Sequence, residues 1–395
     1  MKKILLVIVA ILLTVSACKK SEEKQTKEED IFVNAEFCAD CHEPIYNEWK
    51  ESMHAKSAPM NDKVHAAVFK MTGNDIKTGT KDGKPPICLN CHVPIAALDG
   101  EVDLMKKPIY AEGVTCTFCH KIKSLKPEED RGLGAHAYEY NVGAVYSAAV
   151  RDSSSDAHKT EYSPFFKKSE FCDGCHAKRT NSKGMSVCNT LEEYKSSSKS
   201  KNMQCQNCHM ASKDGRVASS SDISTKVHFH GSSGGHNLDM LKNALALSID
   251  LDDDKNSFVV SVRNKGAAHN IPTAAPLRQL FLKVVQSDKN GKVIKANFKK
   301  NPKEDKNSLF VVAFQDKNGN IGVPPWQAEK IAFDKRLKPA EDRMVMFAIE
   351  SKKVHKVRAE LYYRLVPEEL AKDKGFDEYT NKSHLILEKE MMIKN

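Results

Sequence analysis

The sequence predicts an α+β multidomain chain. A mainly α, loop-rich part spans residues 37–240, and an antiparallel β-sandwich of immunoglobulin-like type spans residues 241–395. Three observations predict this. The pentapeptide C-x-x-C-H occurs five times between Phe37 and His209 and nowhere after it. Segments of strand character separated by turn signals begin near Leu241. Ahead of both, residues 1–18 read as an export leader and residues 19–36 as a polar tether. A length of 395 residues suits two or three domains.

The leader comes first in the chain. "MKKILLVIVAILLTVSAC" has a basic start, an apolar run from Ile4 to Val15 and small residues before Cys18. The run is too short for a comfortable transmembrane helix and reads as a secretory signal. Its end, Val15-Ser16-Ala17-Cys18, is similar to a bacterial lipobox. That similarity implies cleavage before Cys18 and acylation of its thiol, which anchors a protein without making it span the bilayer. "KKSEEKQTKEED" then has no apolar residue and reads as a flexible tether. The expected location is the periplasm or the outer membrane, with Cys18 as the lipid site.

The five motifs are Cys38–Cys41–His42, Cys88–Cys91–His92, Cys116–Cys119–His120, Cys172–Cys175–His176 and Cys205–Cys208–His209. On a helical turn, residues three apart share a face, so two thiols can reach the two vinyl groups of one porphyrin. The histidine beside them then reaches the iron. C-x-x-C-H is the attachment signal for c-type haem. Zinc knuckles do not require a histidine after every second cysteine, and a thioredoxin-like dithiol needs one C-x-x-C, not five. The expectation is five covalently bound c-type haems. About 40 residues per haem is too little chain to give each its own core, so the porphyrins should pack near one another. Short helices are expected, such as "EPIYNEWKESMHA" with Ile45 and Trp49 one turn apart.

The second axial position decides between electron transfer and substrate chemistry. The chain has 15 histidines, five of them in motifs. Candidate second ligands are His54, after the Trp49 helix; His65, on a helix "NDKVHAAVFKM"; His136 and His158, between the third and fourth motifs; and one or two of His228, His230 and His236 in "VHFHGSSGGH", with His230 and His236 preferred. His269 stands in "NKGAAHNIPTAAPLRQ", where small residues allow a close approach to a flat ring and Pro272 stiffens the loop. Through it the β-domain is expected to supply an axial ligand. His355 and His384 read as surface residues. Cys188, outside every motif, reads as a small packed side chain. "LDDDKN" at 251–256 lacks calcium-loop spacing and reads as a turn.

The expected strands are "ALALSIDL", "SFVVSVRN", "LRQLFLKVVQSD", "LFVVAFQD", "MVMFAIES", "VRAELYYRLV" and "SHLILEKEMMI". "DKNG" at 288–291 and again at 316–319 marks hairpin turns. The formal net charge is +9, but haem propionates offset much of it, and no basic stripe is interleaved with aromatic residues. No nucleic-acid partner is expected.

"CADCHEPIYNEWKESMHA" resembles the first haem motif of multihaem cytochromes of the cytochrome c-554 type, relatives of hydroxylamine oxidoreductase and octahaem tetrathionate reductase. "EGVTCTFCHKI" at 112–122 is similar to a later motif of that group. "FCDGCHAK", "VCNTLEEYKSSS" and "CQNCHM" resemble a haem pair of bacterial multihaem cytochromes, and "GAAHNIPTAAPLR" resembles a loop of their sandwich partner. The resemblance implies His54 as a second ligand and closely stacked haems that carry electrons. It implies no enzyme activity: no C-x-x-C-K is present.

The expectation is an exported, lipid-anchored pentahaem carrier. It would pass single electrons between a quinol-linked donor and a terminal reductase or another cytochrome, with a membrane contact through its anchor. Two other readings compete. One is an oxidoreductase of a small nitrogen or sulfur compound at a five-coordinate haem. The other is a conduit or filament component docked through its sandwich.

Overall fold

Each C-x-x-C-H pentapeptide forms a helical turn, as two thiols on one face require. A computed structural model describes residues 31–393; the leader, Cys18 and most of the tether lie outside the described residues. The first motif lies inside the helix Ala35–Lys50, which kinks at His42 just before Pro44. Proline removes an N–H from the helical ladder and crowds the preceding turn. The helix is longer at its start than the sequence suggests and ends at Lys50, so His54 falls in the turn beyond it. The other motifs occupy Leu89–His92, Cys116–Lys121, Asp173–His176 and Cys205–His209, with Cys88 and Cys172 just ahead of their helices. The helix Lys63–Met71 forms where expected. Its N-cap Asp62 accepts from the N–H groups of Val64 and His65, a cap worth about 1 kcal/mol.

This part is less helical than "mainly α". Four two-stranded sheets stand between the helices. Ile122–Leu125 pairs with Tyr138–Tyr140, and Arg179–Thr180 with Ser186–Cys188. Ser212–Gly215 pairs with Thr225–His228, all antiparallel, while Val145–Ala148 and Lys159–Tyr162 run parallel. Strands of two to four residues are too short for a two-residue period to show in the sequence. They still matter, because two of these sheets end at or beside a histidine taken up below.

Beyond residue 241 two antiparallel sheets share one core. The three-stranded sheet has the order Asp342–Ala348, Ser257–Asn264, Leu245–Leu251. The larger runs Val293–Ala296, Gln279–Ser287, Lys356–Arg364, His384–Met392, with Leu309–Phe310 also pairing with Gln279–Ser287. Leu247, Phe258, Val260 and Val262 from the first meet Leu280, Leu282, Val284, Ala359 and Leu361 from the second. Alternation puts these side chains on the inner faces.

All seven expected strands are present, one of them broken. "LFVVAFQD" splits into Leu309–Phe310 and Val312–Gln315, and the second piece pairs with Lys330–Asp334 in a separate hairpin. Both "DKNG" turns form, with Gly291 and Gly319 at positive φ and Asp288 and Asp316 accepting from the turn N–H groups. The "LDDDKN" run is the turn between Leu245–Leu251 and Ser257–Asn264. Three helices, Leu238–Ala244, Glu368–Lys374 and Glu378–Asn381, are additional to the expected strands. The first crosses the 240/241 boundary, and its Leu241 belongs to the sandwich core. His355 is exposed as expected. His384 is not a surface residue: it is buried, with its ring against Tyr379 and Nε2 2.8 Å from the Tyr379 carbonyl. Among the described residues no helix is long and apolar enough to cross a membrane.

Candidate haem sites

The histidines come in twos. His42 faces His158 with ring centres 6.3 Å apart, His54 faces His176 at 6.2 Å, His120 faces His230 at 6.2 Å and His209 faces His269 at 6.1 Å. The fifth pair, His65 and His92, stands at 4.3 Å. Every motif histidine therefore meets one histidine from outside the motifs. Metal–imidazole bonds of about 2.0 Å on either side of one metal place two ring centres roughly 6–6.5 Å apart. Four pairs already have that separation. The fifth must open by about 2 Å to admit a metal between its rings. Among the described residues no three or more His, Cys, Asp or Glu converge as a metal-ion cage, which is the geometry a zinc site would need.

Hydrogen bonding orients these rings. Nδ1 of His42 lies 2.6 Å from the Val217 carbonyl, Nδ1 of His120 2.8 Å from that of Ser147 and Nδ1 of His209 2.6 Å from that of Ser233. In the facing set, Nδ1 of His65 meets the Ser57 carbonyl at 2.7 Å, His230 the His228 carbonyl at 2.7 Å and His269 the Asn270 carbonyl at 2.9 Å. A carbonyl only accepts, so each Nδ1 donates its proton there and Nε2 is the ring nitrogen left to face a metal. Metal-ligating histidines are commonly held this way. The Nε2 of His65 is buried and has no hydrogen-bond partner. A buried acceptor left open is costly unless something occupies it, and a metal would occupy it once the His65 and His92 rings part by about 2 Å. Burial also pushes the imidazole pKa down, to about 3 for His92 and His176 and about 4 for His230 and His269. His54, His65 and His120 shift the same way for the same cause. The neutral form is the one that binds metal.

Local structure explains who faces whom. His158 stands directly before the strand Lys159–Tyr162, whose partner strand holds Ser147, the residue that accepts from His120. His230 follows the strand Thr225–His228, and its backbone N–H donates to Glu48 Oε2 at 2.8 Å. Lys213 pairs with the other oxygen of Glu48. His54 is fixed by a strap at 113–114: Val114 N donates to the His54 carbonyl at 2.9 Å, and Trp49 Nε1 donates to the Val114 carbonyl at 2.8 Å. Ser57 joins two pairs, with its hydroxyl 2.9 Å from the His54 carbonyl and 2.7 Å from the His92 carbonyl. Glu48, Ser57, Gly113 and Val114 carry no sequence signal, because their roles come from contacts distant in the chain.

The motifs abut one another. The helix of the first motif packs on that of the third, the helix of the second on that of the fourth, and the helix of the fifth on the turn Ser169–Cys172 that opens the fourth. Cys119 and Cys175 pack against the same apolar cluster, with Phe118 and Tyr138. The first site thus adjoins the third, the third the fourth, and the fourth both the second and the fifth. Ten motif cysteines in helical turns, five facing histidine pairs and an open buried Nε2 fit five haems.

The remaining candidates fall elsewhere. His136 and His236 face no motif histidine. His136 follows the tight turn at Gly132–Gly134, and His236 lies near Arg278 and Asp62 with its carbonyl accepting from Tyr379 Oη. His228 has its Nδ1 2.7 Å from the Met210 carbonyl and also faces no motif histidine. One of the three histidines in 228–236 is therefore paired, as the lower of the two expected numbers. Cys188 is half-buried opposite Arg179 in a hairpin, and burial raises its pKa.

Comparison with known proteins identifies the family. The family model described as "Cytochrome c554 and c-prime" matches residues 37–121. A search of curated proteins found no match. Among solved structures, the chain is similar to a penta-heme cytochrome c552 from Thermochromatium tepidum, with 31% sequence identity and a TM-score of 0.80. The match covers 92% of this chain and 99% of that one. The chain belongs to the pentahaem c-type cytochromes and carries five covalently bound c-type haems.

Proposed function

We propose that this cytochrome is an electron carrier in a respiratory chain, with all five irons held between two histidines. The observation that carries the reading is the pairing of every motif histidine with a second histidine, four pairs at 6.1–6.3 Å. Each haem supplies a one-electron iron couple when bound. Cys38 and Cys41, and their counterparts in the other motifs, would hold the rings. His42, His92, His120, His176 and His209 would take one axial position. His158, His65, His230, His54 and His269, in that order, would take the other and close the iron to substrate. Electron transfer would follow the adjacency of the sites, first to third to fourth, with the second and fifth joined at the fourth. The exposed second cysteines of the first and fifth motifs suit them as the ends of this path.

The same reading takes residues 37–240 as the haem domain and residues 241–395 as an immunoglobulin-like sandwich domain that closes the fifth site through His269. It also takes the protein as exported, acylated at Cys18 and held at the periplasmic or outer membrane, where it meets a quinol-linked donor and a reductase or cytochrome acceptor. The support for export is the leader sequence and the covalent haems. Reduced protein should not turn over nitrite, hydroxylamine or tetrathionate. Turnover of any of them at a catalytic rate would replace the carrier reading with an enzymatic one.

A further inference from the structure

We infer that Glu193 is the positioning residue that seats the sandwich's His269 opposite His209. The inference rests on the proposed ligation by His269 and adds the device that enforces it.

Glu193 lies on the helix Thr190–Lys195, between the fourth and fifth motifs. Its side chain is 7% exposed and points at the sandwich. Oε2 accepts from the backbone N–H of Asn270 at 3.2 Å and from Thr273 Oγ1 at 2.6 Å. Oε1 accepts from Arg336 Nη1 at 2.7 Å. All three donors belong to the sandwich, and Asn270 directly follows His269. The carbonyl of His269 is held in turn by Asn264 Nδ2 at 2.9 Å. The peptide unit that follows the ligand is therefore held at both its polar atoms, its C=O from within the sandwich and its N–H by a carboxylate of the haem domain. Thr190 and Thr273 hydroxyls, 3.0 Å apart, add a second bridge between the same segments.

A buried carboxylate is retained only when its lone pairs are satisfied. Here every side-chain partner lies across the junction between the two parts, so the side-chain contacts of Glu193 exist only when the sandwich is docked, and those to Asn270 and Thr273 only when the loop at 264–273 is in place. Arg336 also makes two bonds to Asp334, at 2.9 and 2.6 Å. Removing Glu193 therefore leaves Arg336 paired, and the loss falls on the loop that carries His269.

The test uses the five-haem holoprotein, reduced and titrated with carbon monoxide, which binds only an iron with an open axial position. Wild type should bind none. His269→Ala should bind one per chain, and added imidazole should restore its low-spin spectrum. Glu193→Ala should bind carbon monoxide at the same haem, at up to one per chain, with the other four unchanged. Glu193→Gln and Thr273→Val, which preserve volume and weaken single contacts, should show the same change in smaller proportion. A positioning role is overturned if His269→Ala opens one haem while Glu193→Gln and Thr273→Val stay closed and folded Glu193→Ala does too. If His269→Ala opens none, the ligation by His269 itself fails.

Discussion

Alanine at Gly113 should unseat one histidine without altering any motif. Gly113 has φ +65° and ψ −119°, a region that costs a side-chain-bearing residue about 1–3 kcal/mol. The steric effect is more specific. A Cβ there would stand 2.5 Å from the His54 carbonyl oxygen, 2.5 Å from Ser57 Oγ and 3.2 Å from the Ala55 carbonyl oxygen. Carbon and oxygen approach comfortably to about 3.3 Å, so a separation must open by about 0.8 Å. The strap cannot simply retreat, because Val114 is bonded to the His54 carbonyl on one side and to Trp49 on the other. Ligand bonds tolerate shifts of only about 0.2 Å. Gly113→Ala should therefore convert the haem of the fourth motif, for which we propose His54 and His176 as axial ligands, to high spin in a large fraction of molecules. Electron paramagnetic resonance of the oxidised holoprotein reads that fraction. A folded, five-haem Gly113→Ala protein with every iron low-spin and an unchanged melting temperature would refute the reasoning.

Other outcomes follow from the same contacts. His65→Ala should open the haem of the second motif to carbon monoxide, at one per chain; a closed haem in that variant would reduce the 4.3 Å contact with His92 to packing. Cys188→Ser should keep five haems in the intact mass, since this cysteine stands outside the motifs, and a missing haem would show that it takes part in attachment. Leu282→Ala, fully buried between the sheets, should lower the unfolding free energy by about 2–5 kcal/mol, whereas Met344→Ser, 70% exposed on an edge strand, should stay within about 0.5 kcal/mol. Denaturant titration of both variants checks the contrast.

The motifs and the long strands were legible because their information is local. Three-residue spacing places Cys116 and Cys119 on one helical turn, and alternation along Ser257–Asn264 separates Phe258, Val260 and Val262 from the residues between them. The pairing of histidines was not local. His54 follows the first motif in sequence yet faces His176 of the fourth. Nothing in its neighbourhood in the sequence indicates which motif histidine its ring faces. His158 stood in a stretch without visible structure because the parallel pair that places it has only four residues per strand. His136 and His236 shared every local attribute of the paired histidines and differ only in what the fold sets opposite them. Glu48, Ser57 and Glu193 were invisible for a related reason. A carboxylate or hydroxyl has no sequence signature for the distant backbone it will hold.

In the proposed arrangement every iron sits between two histidines. Electron paramagnetic resonance of the oxidised wild-type holoprotein, integrated against five haems per chain, tests it most directly. Low-spin signals only are expected, with no response to added cyanide or nitrite. A stoichiometric high-spin iron that shifts on adding either ligand would contradict it.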